Sequence, residues 1–211
     1  MHYTDNKLPG YLAIISEPNI GLSVDADKAL ERILCRLNNN HNYNINKDNI
    51  PTIDNIYNNT IRFIIAGGTI QPTDFHLVDN LCYSNTEFND NIIEKFEKNA
   101  EVADKFLCKL NTKVCTSILP CYYELTSSIY PHVNIPSYFF KDSFKQTKNF
   151  NCLTNPCIFK VNNKIILGCS GENILSFKLN SFIEDDLLIA SLLLEMGHLA
   201  PTCPDMLRYK F

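Results

Sequence analysis

Asn155-Pro156-Cys157-Ile158-Phe159-Lys160-Val161-Asn162-Asn163-Lys164-Ile165-Ile166-Leu167-Gly168-Cys169-Ser170-Gly171-Glu172-Asn173 contains two apolar arms around a polar turn. The arms Cys157–Val161 and Lys164–Cys169 flank Asn162-Asn163, and Asn tolerates the positive φ that a two-residue hairpin turn demands at both centres. The stretch therefore predicts a β-hairpin. Its second arm runs into Gly168-Cys169-Ser170-Gly171-Glu172-Asn173, a small-residue loop at a strand end. Such a loop either holds a ligand or packs closely on a neighbour, and its composition does not choose between them.

Working outward, Tyr11–Ile15 reads as a buried first strand stopped by the turn Ser16-Glu17-Pro18-Asn19. Ala26, Ala29, Leu30, Ile33, Leu34 and Leu37 then fall at helical spacing, with Ser23 as cap and Asp25 and Asp27 in the first turn. Residues 38–59 are crowded with Asn and read as a solvated insertion. Ile61–Ala66 is a second buried strand, broken at Gly67-Gly68-Thr69, where a doubly wound fold places functional loops.

A long helix follows, with Asn91 and Glu94 at capping-box spacing and Ile92, Ile93, Phe96, Ala100, Ala103, Phe106, Leu107 and Leu110 on one face. Lys113–Leu119 is a third strand ending at Pro120-Cys121-Tyr122-Tyr123-Glu124. After an irregular aromatic connection and the hairpin, Ser181-Phe182-Ile183-Glu184 has the form of a capping box opening a helix that runs to Met196 and stops at Gly197. Alternating strands and helices predict an α/β fold in one domain over residues 1–211, and no internal repeat is visible.

A chain of 211 residues, 45% apolar and 11% aromatic, can bury one full core. Its net charge of −4 argues against a domain whose main task is to grip phosphate backbones. The nine cysteines contain no C-x2-C pair, which reads as reduced, mostly buried thiols rather than zinc ligands or a disulfide framework. No apolar run reaches the ~18–20 residues needed to span a bilayer, and the start of the chain does not resemble a signal sequence. A soluble intracellular protein without membrane contact is the expectation.

Two segments add a resemblance. Leu153-Thr154-Asn155-Pro156, the hairpin and Leu167-Gly168-Cys169-Ser170-Gly171-Glu172-Asn173-Ile174, followed by His198-Leu199-Ala200-Pro201-Thr202-Cys203-Pro204-Asp205, resemble the calcineurin-like phosphoesterase domain of the small (B) subunits of replicative DNA polymerases. The delta branch is most similar, with wording close to TNP…(I/V)xGxxxLGTSGQN and HxxPTxPD. Asn155, Pro156, Gly168, Ser170, Gly171, Asn173, His198, Pro201, Thr202, Pro204 and Asp205 carry the likeness as structural motif positions. Ile129-Tyr130-Pro131-His132 and Pro136-Ser137-Tyr138-Phe139 echo the family's Leu/Pro/His-rich connection more faintly.

The resemblance implies a phosphoesterase fold, a β-sandwich flanked by helices, whose chemistry has been lost. A working member holds two cations through D-x-H, G-D-x-x-D, G-N-H-D/E and G-H-x-H segments. Here Ser16-Glu17-Pro18-Asn19, Gly67-Gly68-Thr69-Ile70-Gln71 and Pro120-Cys121-Tyr122-Tyr123-Glu124 stand at the first three, with Gly68 where an Asp belongs. Asp74-Phe75-His76 spells D-x-H after the wrong strand, and in Gly197-His198-Leu199-Ala200 an Ala replaces the second His. The family's P-G-E-x-D-P is reduced to Pro120 and a displaced Glu124.

The resemblance further implies a non-catalytic scaffold with no cofactor, no metal and no catalytic residue. Its implied partners are the catalytic subunit of DNA polymerase delta, through that subunit's C-terminal metal-binding region, and the third delta subunit; DNA is reached only indirectly, in the nucleus. The family's N-terminal oligonucleotide-fold domain and the last strands of its phosphoesterase domain have no counterpart, so a shortened subunit with an uncovered sheet edge is expected. Tyr138, Phe139, Phe140 and Phe144 are the candidate partner contacts, with local core as the equal alternative. Three other readings stay open: an active metallophosphoesterase using unrecognised ligands, a B subunit of polymerase alpha or epsilon, and a globular remnant that binds nothing.

Overall fold

The runs of apolar and β-branched residues in Tyr11–Ile15 (β1), Thr60–Ala66 (β2) and Cys115–Leu119 (β3), joined by the short Phe150–Cys152 (β4), form one parallel sheet. The strands lie in the order in which they occur along the chain. A computed structural model describes residues 10–21, 23–38, 56–57, 59–70, 90–124, 126, 129–146 and 149–205. The rest of the predicted insertion and Asp74-Phe75-His76 lie outside the described residues.

Parallel neighbours require crossovers, and helices supply them. Val24–Asn38 (α1) links β1 to β2, and Asp90–Asn111 (α2) precedes β3. Between β3 and β4 come a 3-10 turn, Ser137–Phe140, and the short helix Lys141–Gln146 (α3). Ser23 caps α1 as predicted, its hydroxyl accepting from the Ala26 amide at 3.2 Å. The helix predicted to be capped at Asn91 begins at Asp90, so Asn91 lies inside it and is not its cap.

Side chains alternate across a strand, so each sheet face has its own core. On one face Phe63, Ile65 and Ile118 pack with Leu30 and Leu34 of α1 and Ala100, Ala103, Leu107 and Leu110 of α2. On the other, Ile64 and Leu119 meet Cys157 and Phe159 of the hairpin. β1 was expected to be buried, but it is an edge strand, half-buried, with Ile14 exposed. An edge strand gains cover from one neighbour only.

The hairpin is present as Cys157–Val161 (β5) and Lys164–Gly168 (β6), paired antiparallel through Val161 opposite Lys164. Only Asn162 takes positive φ, at 52°, so one centre and not both needs the Asn tolerance. The hairpin forms its own two-stranded sheet, and among the described residues β1 and β4 are the outermost strands of the main sheet. Gly168 sits where a Cβ would come within 2.9 Å of Leu119, so the absent side chain is what lets the hairpin lie against the main sheet.

Two helices end the described chain, where one was predicted. Glu172–Leu179 (α4) starts within the supposed loop, and Asp186–Met196 (α5) begins later than Ser181. The cap of α5 is Asp185, whose carboxylate accepts from the amides of Leu187 and Leu188; the Ser181 hydroxyl is taken up by the Ile183 amide in the preceding turn. Gly197, with φ 62°, stops α5 as predicted. Among the described residues no helix is long and apolar enough to cross a membrane.

Candidate functional site at the carboxyl ends of the strands

In an open parallel sheet the loops at the carboxyl ends of the strands are where function collects. Here Ala66 of β2 lies opposite Leu119 of β3, and the two strands end together. The following loops are joined by Glu124, which is buried: Oε1 accepts from the Thr69 amide at 2.6 Å and Oε2 from the Cys121 amide at 3.0 Å. The Gly68 amide donates to the Cys121 sulfur at 3.2 Å. One side chain thus clasps both strand ends, and Gly68, φ 63°, lies directly against Glu17 and Tyr123.

Burial dominates the acid–base properties of this corner. It pushes the Glu124 carboxyl up from its ordinary value, against the opposing pull of its two amide hydrogen bonds. The Cys121 thiol and the Tyr123 hydroxyl are also pushed up, by burial first and then by their charged or titratable neighbours. Cys152 is pushed up to about 12, by burial and then by Glu124. None of these thiols has thiolate character near neutral pH.

The second half of the site is centred on Glu172, at the start of α4. Its Oε1 accepts from the Tyr122 amide at 2.7 Å, from the Ser170 hydroxyl at 3.0 Å and, more weakly, from Asn155 Nδ2 at 3.5 Å. Its Oε2 lies 2.5 Å from His132 Nε2. Asn155, fully buried, also bonds Ser170 twice, and its backbone exchanges hydrogen bonds with His132. Glu172 therefore ties together the β3 loop, the connection at His132, the hairpin and α4.

The motif positions meet in space as well as in order. Asn173 donates to the Leu199 carbonyl at 2.7 Å, and Thr202 bonds Ser176 at 2.7 Å, so α4 stitches the first motif to the second. Gly171, φ 86°, forms the entry to α4. Pro156, His198 and Pro204 line a groove of about 540 Å3 with Tyr130, Pro131 and Ala200; His198 Nδ1 accepts from the Ala200 amide. Pro201 is half-buried, whereas Asp205 is exposed and takes no part in the cluster.

The aromatic candidates separate. Phe140 is fully buried in the helix-side core, which corrects its reading as a partner contact. Phe139 is half-buried against Tyr138, Phe144 leans on Phe150 with ring centres 4.8 Å apart, and Tyr138 is the most exposed of the four. Neither Glu172 nor His132 was singled out from the sequence. Glu172 lay inside a motif whose lettering drew attention to its small residues, and His132 inside a connection matched only faintly.

Among the described residues no three His, Cys, Asp or Glu side chains stand close enough together to hold a metal ion. Both oxygens of Glu124 and of Glu172 are engaged by groups of the protein itself, an arrangement suited to locking loops. The upward shift of Glu124 has a consequence for pH. A raised folded-state value means the native chain holds a proton that the unfolded chain releases. Stability should therefore be fullest in mild acid and fall as pH rises from the ordinary carboxylate value through the folded one. Urea unfolding across about pH 4 to 8 should show that decline, and Glu124→Gln, which cannot ionise, should flatten it; an unchanged slope would refute the role.

Comparison with known proteins gives this geometry a family. Over 147 residues the chain is 23% identical to DNA polymerase delta subunit 2 of Drosophila melanogaster, a match covering 70% of this chain and 33% of that protein. The chain thus spans about a third of the length of the curated relative it matches. A family model for the DNA polymerase alpha/epsilon B subunit matches residues 28–211, from within α1 through both motifs and the strand-end lock, and the chain belongs to that family.

Proposed function

We propose that the chain is a non-catalytic accessory subunit of a replicative DNA polymerase of the delta type, an inactivated phosphoesterase fold that holds other subunits together in the nucleus. The observation that carries this reading is the family match over residues 28–211, and the similarity to a delta subunit 2 supports the branch. The site supports loss of chemistry: Gly68 and Cys121-Tyr122-Tyr123 occupy ligand positions, and both strand-end carboxylates are engaged by the protein itself. On this reading the C-terminal metal-binding region of the delta catalytic subunit is the first partner, the third delta subunit the second, and DNA is contacted through them.

Co-expression of the chain with that C-terminal region should yield a complex that survives size-exclusion chromatography. The exposed Tyr138 offers a contact near α3, and Tyr138→Asp is expected to weaken the complex without lowering the melting temperature. A folded chain that co-purifies with no B-family catalytic subunit would reject the proposal.

A further inference from the structure

Helix α5 is apolar on two opposite sides, and among the described residues only one of them is packed. Ile189 and Leu193 face inward and are buried. At 3.6 residues per turn, Leu187, Ser191 and Leu194 fall within about 60° of one another on the side opposite. Leu187 is 80% exposed and Leu194 79%. The Lys178–Asp186 ion pair, 2.8 Å, holds the end of α4 beside the start of α5, and Leu179 and Phe182, which lie between the two residues in the chain, are exposed as well. A helix hydrophobic all round is one whose second side is covered by something.

Charge identifies what covers it. The exposed acids Glu184 and Asp185 stand just before the helix, exposed Glu195 lies beside the stripe about 40° round from Ser191, and α5 has no basic residue in its last turn. Lys178 is already paired with Asp186. A second copy of this chain would bring acid against acid, and an anionic membrane surface would be repelled in the same way. We propose that the outer side of α5 is a docking surface for an amphipathic helix of another protein, with an apolar stripe at i, i+4, i+7 spacing and Lys or Arg along its flanks. The inference concerns a different face from Tyr138 and stands independently of the polymerase assignment.

The test uses a synthetic amphipathic helix of about 20 residues, long enough to hold its shape, with a Leu stripe and Lys flanks, and a twin with Glu flanks. Fluorescence anisotropy with the full chain should show saturable binding of the Lys-flanked peptide, about tenfold or more tighter than its twin, with the difference shrinking as salt is raised. The double variant Leu187→Asp, Leu194→Asp should abolish binding. Both positions are solvent-exposed, so its circular dichroism and melting temperature should match the parent's, which separates lost docking from lost fold. Equal binding of the twins, no binding of either, binding retained in the double variant, a concentration-dependent dimer that the variant abolishes, or a preference for phosphatidylserine vesicles over the Lys-flanked peptide would each overturn the proposal.

Discussion

Replacing Glu172 with Ala should lower the unfolding free energy by about 2–4 kcal/mol, because several buried polar groups lose the one acceptor they share. The loss here extends beyond a pair. His132, 2% exposed, loses its neighbour; the Tyr122 amide and the Ser170 hydroxyl lose an acceptor; and the four segments meeting at Glu172 lose their common fastening. Glu172→Gln keeps an acceptor for Tyr122 and nearly the same volume, so its cost should be about 1–2 kcal/mol. Urea denaturation followed by circular dichroism compares the two directly. An Ala variant within 1 kcal/mol of the parent, roughly the worth of one ordinary hydrogen bond, would mean the cluster is not a lock.

Gly68→Asp should be nearly as damaging, and on the proposed reading it places one carboxylate where a working phosphoesterase carries a ligand. A Cβ at this position would come within 2.7 Å of the Glu17 backbone and 2.5 Å of the Tyr123 hydroxyl, at a φ of 63° that side chains rarely adopt. Left-handed strain and overpacking together should cost about 2–5 kcal/mol. Metal analysis of the refolded variant should find no stoichiometric manganese, iron or zinc, since the loop that would present the new carboxylate cannot keep its shape. A variant as stable as the parent that binds two metal ions would overturn this expectation.

Three of the sheet's four strands were legible as apolar runs, since Tyr11–Ile15, Ile61–Ala66 and Lys113–Leu119 all became strands within two residues of their predicted limits; β4, only three residues with an Asn at its centre, was read as part of an irregular connection. Helix α4 was not legible. It follows Gly171 with no Ser, Thr or Asp to cap it, so its start carries no local signal, and its second residue, Asn173, bonds a segment 26 residues away. The lock at Glu172 was hidden for the same reason. His132, Asn155 and Glu172 are separated by 23 and 17 residues, and only the fold brings them together. Phe140 was misplaced because an aromatic run reads alike whether its members face core or solvent; the 3-10 turn sends Phe140 inward and leaves Tyr138 outside.

The order of the strands in the sheet has a bearing on synthesis. Because β1 to β4 lie side by side in the order in which they occur along the chain, each strand leaving the ribosome finds its neighbour already made. The sheet can be assembled by simple addition at one growing edge, with no strand waiting for a partner still to be translated. The hairpin then lies across the finished sheet, and Glu172 emerges after His132 and Asn155, the two groups it fastens. Its arrival closes the structure, so a free chain ending just short of Glu172 should hold the sheet with Glu124 already clasping the ends of β2 and β3, but with His132 and Asn155 not yet tied to α4.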